Sequence, residues 1–192
     1  MASPSEICAK AMVLLGQNPI IDIDDTSVPN AVKCKAAYAI TRDAMLREYA
    51  WAFAVRRVML VADPAAPAFG YAYKFQLPAD CIRVIGTDQA GVGYEIEDGF
   101  LMTDVSTMGI RYIRRVEESG LFDSLFVDCL SIRIARELAP SILKDRGAKV
   151  AQMMDALYRA TIPAAKLADS LESRHNEVNE VATSSWLTAR RS

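Results

Sequence analysis

The hydrophobic period of this chain changes twice, from helical to alternating and back to helical. Apolar residues recur at helical spacing up to about residue 50, alternate with polar residues in the middle of the chain, and return to helical spacing after Gly120. A period of 3.6 residues buries one face of a helix, and a period of two buries one face of a strand. The order therefore predicts an α+β fold in which an antiparallel sheet lobe is inserted between helices.

Two helices are predicted in residues 1–50. Ser3-Pro4-Ser5-Glu6 has the N-cap serine, first-turn proline and N3 glutamate of a capping box, and Gly16 is placed to end this helix. Ser27 is expected to cap the second helix, with Pro29 in the first turn and an end near Tyr49. Its expected apolar stripe is Cys34, Tyr38, Thr41, Met45 and Tyr49.

The segment 51–118 has the pattern of an antiparallel meander of about five or six strands. Tyr71, Tyr73 and Phe75 alternate with smaller or polar residues, and we expect this row to face the core. A base-stacking role for the row would require lysine-rich surroundings, and only Lys74 is near. Asp98-Gly99 lies between two short alternating runs and is a favoured pair for a two-residue hairpin turn.

Two further helices are predicted in residues 119–172. Apolar residues cover most of the helix from Leu121 to Leu138, which should be largely buried, and Pro140 is expected to close it. Asp145 is expected to cap the fourth helix, which Pro163 should kink. The expected buried stripe of this helix is Val150, Met154, Leu157, Thr161, Ala164, Ala168 and Leu171.

The helix pairs 1–50 and 119–172 are predicted to form one four-helix bundle, with the sheet lobe 51–118 inserted. Residues 173–192 are polar and lose the helical period, so an extended C-terminal tail is predicted there. The chain has 192 residues, of which 52% are hydrophobic and 24% charged. That composition can bury a core without disulfide bonds.

Charge and cysteine usage limit the function classes. The net charge is -2, which argues against a protein whose main task is to coat nucleic acid, because phosphate binding needs surplus lysine and arginine. The four cysteines stand far apart, without the paired spacing of a zinc or redox site, and favour a reducing compartment. No apolar run approaches the length of a membrane span, so a soluble protein is expected.

Residues with catalytic chemistry are sparse. The one histidine, His175, lies in the predicted tail, so a histidine-activated nucleophile would depend on it alone. Gly91-Val92-Gly93 precedes no helix and is interpreted as a turn and not as a phosphate loop. The acidic run Asp22, Asp24, Asp25 is interpreted as a solvated loop beside a helix N-terminus. We therefore predict no enzyme, no metal site and no cofactor.

Arginine pairs on the predicted strands are a candidate contact surface. Adjacent residues of a strand point to opposite faces, so Arg56-Arg57 and Arg114-Arg115 cannot each form one patch. Arg57, Arg111 and Arg115 could instead line one face together. Solvated sheet residues are the favoured interpretation, ahead of contact with passing DNA.

The ordered set of motifs resembles the tail tubular protein A family, the head-to-tail adaptors of short-tailed bacteriophages. The similarity runs from about Ile7 to Leu171. The family often has Pro-Trp-Asn-Phe-Ala where this chain has residues 50–54, Ala-Trp-Ala-Phe-Ala, and the tail after Glu172 has no counterpart. The segments that carry the resemblance are 42–47 (RDAMLR), 51–54 (WAFA) with Arg57, 69–73 (FGYAY), 77–84 (LPADCIRV), 94–97 (YEIE), 101–104 (LMTD), 110–113 (IRYI) and 121–126 (LFDSLF).

The resemblance implies a structural virion protein at the head-to-tail junction, assembled in the bacterial cytoplasm. Members of the family form a ring of about twelve subunits, a closed cyclic assembly, between the portal and the tail nozzle. The implied partners are the portal protein, the tubular nozzle protein, further copies of the chain and tail fibres. DNA would pass through the lumen without sequence-specific binding, and no membrane is involved.

Two groups of residues are predicted to make contacts in such an assembly. In the tail, Trp186 and Leu187 followed by Arg190 and Arg191 resemble an anchor that orders on binding the portal or a neighbouring subunit. In the sheet lobe, the interface candidates are Phe69, Arg57, Arg111 and Arg115.

Other functions remain open at this point. A head-completion protein of a long-tailed phage would also form a ring but would have a different tail partner. A helical nucleic-acid-binding regulator belongs to a different class, and the acidic balance and lack of a basic helix count against it. A small hydrolase is opposed by the single histidine in the tail.

Overall fold

The structure, a computed structural model, describes residues 2–184, with side chains described as far as residue 172. The chain divides into a helical unit, Met1–Arg42 with Glu118–Ser192, and a sheet unit, Asp43–Glu117. The helices are α1 (Pro4–Leu14), α2 (Pro29–Glu48), α3 (Ser124–Leu143) and α4 (Gly147–Ser184). The strands are β1 (Val55–Leu60), β2 (Tyr73–Gln76), β3 (Cys81–Thr87), β4 (Glu95–Glu97), β5 (Phe100–Thr103) and β6 (Met108–Arg114).

The capping box at the start of α1 is confirmed. Glu6 N donates to Ser3 Oγ at 3.2 Å, and Ser3 N donates to Glu6 Oε2 at 2.7 Å, so two backbone donors of the first turn are satisfied. Gly16 has a φ of 67° just beyond the helix, the left-handed conformation that glycine adopts most easily. The expected role of Ser27 differs, because its hydroxyl and amide both donate to the Asp25 carboxylate.

Helix α3 lies at the centre of the helical unit and packs against both α1 and α4. Phe126, Leu130 and Ile134 are fully buried, as the wide apolar face predicted. Asp123 caps the helix by accepting from Leu125 N at 2.8 Å. Pro140 does not end α3, which continues to Leu143. Its ring removes one backbone hydrogen bond, and the helix tolerates that loss close to its C-terminus.

The α+β class is confirmed, whereas the four-helix bundle is not supported. The helix packing centres on α3 with α1 and α4. Helix α2 belongs to the helical unit only as far as Arg42, and its last turns belong to the sheet unit. A period in the sequence shows which face of a helix is apolar, but it does not show which unit covers each turn.

The inserted segment forms two three-stranded antiparallel sheets and not one meander. The first has the order β1-β6-β3 and the second the order β2-β5-β4. The last strand, β6, lies between β1 and β3 and pairs with both of them. The predicted β4–β5 hairpin is confirmed, with φ of 49° at Asp98 and 78° at Gly99, as a primed two-residue turn requires.

One apolar cluster joins the inner faces of the two sheets. It contains Phe75 and Leu101 from the second sheet and Met108, Ile110 and Tyr112 from the first. The prediction that the whole aromatic row faces this core was wrong. Tyr73 is 37% exposed, and Tyr71, which precedes the strand, is half-buried. Of the three side chains, Phe75 alone is buried.

Helix α4 differs from expectation in its bounds and in its buried row. It begins at Gly147, after a short 3₁₀ turn that contains Asp145, and it continues past the predicted end at Glu172 to Ser184. Its buried side chains are Met154, Tyr158, Ala165 and Asp169. Leu157, Ala164 and Leu171, which were expected to be buried, are exposed. Within the described residues, no helix has the length and apolarity needed to cross a membrane.

Candidate assembly surfaces

Arg57 of β1 and Arg111 of β6 lie directly opposite each other on the first sheet. Directly opposed residues of antiparallel strands project from the same face, so these two guanidinium groups share a surface. In the adjacent pair, Ile110 belongs to the core cluster and Val58 packs against it. Because neighbouring residues of a strand point to opposite faces, both arginines lie on the outer face. Both arginines are exposed, and neither forms a salt bridge within the described residues.

A groove of about 510 Å³ runs along this outer face. Its walls include Arg57 and Arg111 at one end and Met59, Asp88 and Gly109 at the other. Asp88 accepts a hydrogen bond from Gly109 N at 2.8 Å, which fixes its carboxylate at the end of the groove. A Cβ at Gly109 would lie 2.8 Å from the Met59 sulfur, so the glycine allows that side chain to lie close against β6. We call this surface the arginine groove.

Arg83 of β3 extends the basic character of the face. Arg83 is paired in register with Ile113, and Ile113 projects from the same side of β6 as Arg111, two residues away. Arg83 therefore lies on the same face as Arg111. Its side chain is half-buried, and its Nε is buried without a hydrogen-bond partner. Arg83 and Arg111 both line a shallower concavity beside the groove. The alternation of the sequence does not place Arg83 on this face, because β-bulges shift the register of β3.

Arg115 lies beyond the end of β6 and is already engaged. Its backbone amide donates to Asp80 O, and its Nε donates to the Asp43 carboxylate at 2.8 Å. Its charge therefore has a partner within the sheet unit. The neighbouring Arg56 lies 3.7 Å from the Asp80 carboxylate, which also accepts from the Tyr112 hydroxyl at 3.0 Å. Of the three arginines considered together, the structure brings Arg57 and Arg111 side by side.

The remaining predicted contact residues lie in different places. Phe69 is 88% exposed in the connection between β1 and β2, beside Gly70 with a φ of 88°. Its proposed role as an interface residue stays a prediction. Trp186, Leu187, Arg190 and Arg191 lie outside the described residues.

An exposed apolar row runs along α4. Met153, Leu157, Leu167 and Leu171 are 57, 38, 59 and 56% exposed, and Ala160 and Ala164 lie between them. The spacing of the six positions alternates four and three, which places them on one stripe of the helix. We call this stripe the α4 seam. The sequence alone shows this spacing, but the same spacing is equally typical of a buried stripe.

The acidic loop is held by its own hydrogen bonds. Asp22 Oδ1 accepts from Asp24 N at 2.9 Å, and Asp24 pairs with Lys35 at 2.8 Å. The pKa of Asp25 is lowered because its carboxylate accepts hydrogen bonds from the Ser27 hydroxyl and amide. Across the part of the chain that the structure describes, no group of three metal-ligating side chains converges.

Cys8 and Cys34 bring α1 and α2 together in the helical unit. Both thiols are fully buried, and the pKa of Cys8 is raised by its hydrogen bond with Cys34 and by burial. Cys129 is also buried, and Cys81 is half-buried. A buried cysteine packs as a small apolar group, as the sequence predicted for these scattered cysteines.

No family model and no curated protein matches the chain. The surfaces themselves and the ordered motifs of the sequence therefore carry the evidence for function.

Proposed function

We propose that the chain is a structural virion protein, a ring-forming adaptor that joins the portal to the tail nozzle of a short-tailed phage and lines the DNA exit channel. The ordered motifs from Ile7 to Leu171 support this proposal. In this function the chain is not an enzyme. It acts at the head-to-tail junction of the virion through contacts with the portal, the nozzle protein and further copies of itself.

The observation that carries the proposal is the α4 seam. Four large apolar side chains on one helical stripe are left in contact with water, at a cost of roughly 25 cal/mol for each Å² that a partner would cover. Contiguous exposed apolar surface of this kind is typical of a protein that binds another protein. A subunit of a ring between two other rings needs such surfaces in addition to those that contact its neighbours.

The arrangement of the chain also supports an assembling subunit. The sheet unit, Asp43–Glu117, is inserted between two helical segments, so one chain offers a helical surface and a sheet surface. The helical unit presents the α4 seam, and the sheet unit presents the arginine groove. Two chemically different surfaces on two units allow contacts with two different partners.

Reconstitution with portal rings tests the proposal. Purified chain is mixed with rings of the portal protein from the same phage, and bound copies are counted by electron microscopy and native mass spectrometry. We expect a closed ring of about twelve copies on each portal ring, as the resemblance implies. Failure to bind any portal ring would contradict the adaptor function.

A matched pair of variants tests the α4 seam separately. Leu167→Glu places a charge on the seam, whereas Ile21→Glu places the same charge on a side chain that is 96% exposed in a loop. We expect the seam variant to lose portal or nozzle binding and the loop variant to retain it. Equal binding by both would remove the seam from the interface.

A further inference from the structure

The two sheets of the sheet unit present outer faces of opposite charge. In the first sheet, the core faces inward through Ile110 and Tyr112, so Arg57 and Arg111 face outward. In the second sheet, Phe75, Leu101 and Ile96 share the inner face by register. Glu95 and Glu97 alternate with Ile96 and therefore lie on the outer face.

The inner faces of the two sheets meet in one apolar cluster. The outer faces therefore lie on opposite sides of the unit, one carrying Arg57 and Arg111 and the other carrying Glu95 and Glu97. A basic surface and an acidic surface on opposite sides of one unit are suited to head-to-tail contact between copies.

The acidic face is exposed and has no internal counter-charge at its edge. Glu95 and Glu97 belong to β4, the edge strand of its sheet, and neither forms a salt bridge within the described residues. The pKa of Tyr71 is raised by desolvation, by the negative charges of Glu95, Asp104 and Glu97, and by its hydrogen bond to Glu95. Lys74, on the same face, is drawn toward Asp63 at 3.9 Å and lies over the Phe100 ring.

The opposition of Arg57 and Arg111 favours a counter-charge from outside the chain. Like charges directly opposite each other on neighbouring strands are destabilising. The described side chains near the two guanidinium groups supply one carboxylate, Asp88, and it is fixed at the other end of the groove by Gly109 N. Two carboxylates that lie two residues apart on a strand are separated by about 7 Å along it. Such a strand would place one carboxylate near each of the two arginines.

We propose that the arginine groove of one copy binds the β4 strand of a second copy, with Glu95 and Glu97 of the second copy paired with Arg57 and Arg111 of the first. This inference rests on the proposed ring and names the surfaces by which its neighbours join. The two surfaces differ and lie on opposite sides of the unit. Each copy therefore binds one neighbour through its groove and the other neighbour through its β4 strand, and the contact repeats around the ring. The apolar wall at Met59 gives the groove a surface for side chains of the incoming strand.

A protein partner fits this groove better than a nucleic acid. Met59 offers apolar surface that a sugar-phosphate backbone does not use. The whole chain has a net charge of -2. The β4 strand supplies two carboxylates, Glu95 and Glu97, for the arginine end of the groove, which lies away from Asp88.

Charge reversal on each side tests the pairing. Arg57→Glu with Arg111→Glu reverses the groove, and Glu95→Arg with Glu97→Arg reverses the strand. Each variant alone is expected to lose self-association by about tenfold or more, measured by sedimentation velocity at high concentration and low salt. A mixture of the two variants, and the chain that carries all four changes, should both regain it because opposite charges again face each other.

Controls separate this result from misfolding and from DNA binding. Arg57→Gln with Arg111→Gln removes the charge without introducing repulsion, and circular dichroism and thermal unfolding check that each variant folds. Loss of association that is not restored by the mixture would overturn the proposal, as would wild-type chain that associates neither in solution nor on portal rings. Binding of short duplex DNA that requires Arg57 and Arg111, with self-association unchanged, would overturn it in favour of DNA.

The outcome is distinguishable from that of the adaptor function. If wild-type chain forms rings on the portal and the reversed variants do so equally well, the adaptor function stands and this contact is wrong. If the chain never binds the portal but the mixed variants restore association in solution, the contact stands and the adaptor function fails.

Discussion

Gly147, the first residue of α4, lies so close to Pro140 of α3 that no side chain fits between them. A Cβ on Gly147 would lie 2.5 Å from Pro140 Cα and 2.6 Å from Ala139 O. The φ of Gly147 is -60°, an ordinary helical value, so the requirement for glycine is steric and not conformational. This close approach lets α3 and α4 pack together from the turn that joins them.

Gly147→Ala is expected to destabilise the chain by about 1–3 kcal/mol, because the added methyl group meets backbone atoms that cannot move aside without shifting a helix. Urea unfolding at neutral pH measures the change. Gly93→Ala is the matched control, since a Cβ there meets nothing within 4 Å and should leave stability nearly unchanged. Equal stability of the two variants would mean that the turn can open at little cost.

Phe126→Ala should destabilise the helical unit by about 3–5 kcal/mol, because it leaves a cavity in the centre of the packed helices. Phe126 is fully buried, and its ring lies 4.9 Å from that of Phe122. Phe69→Ala removes the same group from a side chain that is 88% exposed and should not change the melting temperature. A well-folded Phe126→Ala chain with an unchanged melting temperature would show that the core lies elsewhere.

Tyr38 links stability to alkaline pH. Burial raises its pKa from 10.0 to about 12, so its neutral form stabilises the fold below about pH 10, and that contribution is lost as pH rises from 10 towards 12. Tyr38→Phe has no such group and should lose about 1 kcal/mol less than wild type between pH 9 and pH 11. Urea unfolding at both pH values measures this difference.

Tyr38→Phe also has an expected result at neutral pH. The Tyr38 hydroxyl is buried without a hydrogen-bond partner, so its removal should leave stability unchanged or raise it by about 1 kcal/mol. A clear loss of stability near pH 7 would reveal a partner for this hydroxyl. Parallel pH profiles of the two chains would contradict the raised pKa.

Trp186→Ala is expected to weaken incorporation of the chain into portal complexes, because a large aromatic side chain in a polar segment is a common binding anchor. The fraction of chain bound to portal rings measures the effect, and melting temperature checks that the fold is intact. Ser185→Ala changes the adjacent residue without removing an anchor and serves as control. Unchanged incorporation of Trp186→Ala would leave the segment as a chain end without a binding role.

Features set by residues close together in the chain could be predicted. The capping box of Ser3 and Glu6, the Asp98-Gly99 turn and the buried face around Phe126 depend on local geometry and on one helical period, and the structure has all three. The α+β class follows from the same change of period. These signals need no knowledge of which distant segment covers a given face.

What the tertiary structure decided depends on pairing between distant residues. The insertion of β6 between β1 and β3 aligns Arg57 with Arg111, and the bulges of β3 place Arg83 beside them. The packing of α4 on α3 buries Tyr158 and leaves Leu157 in water, although an apolar period treats leucine as the better core residue. A sequence period gives the spacing of apolar residues along one element, whereas the face that is covered depends on the elements packed against it.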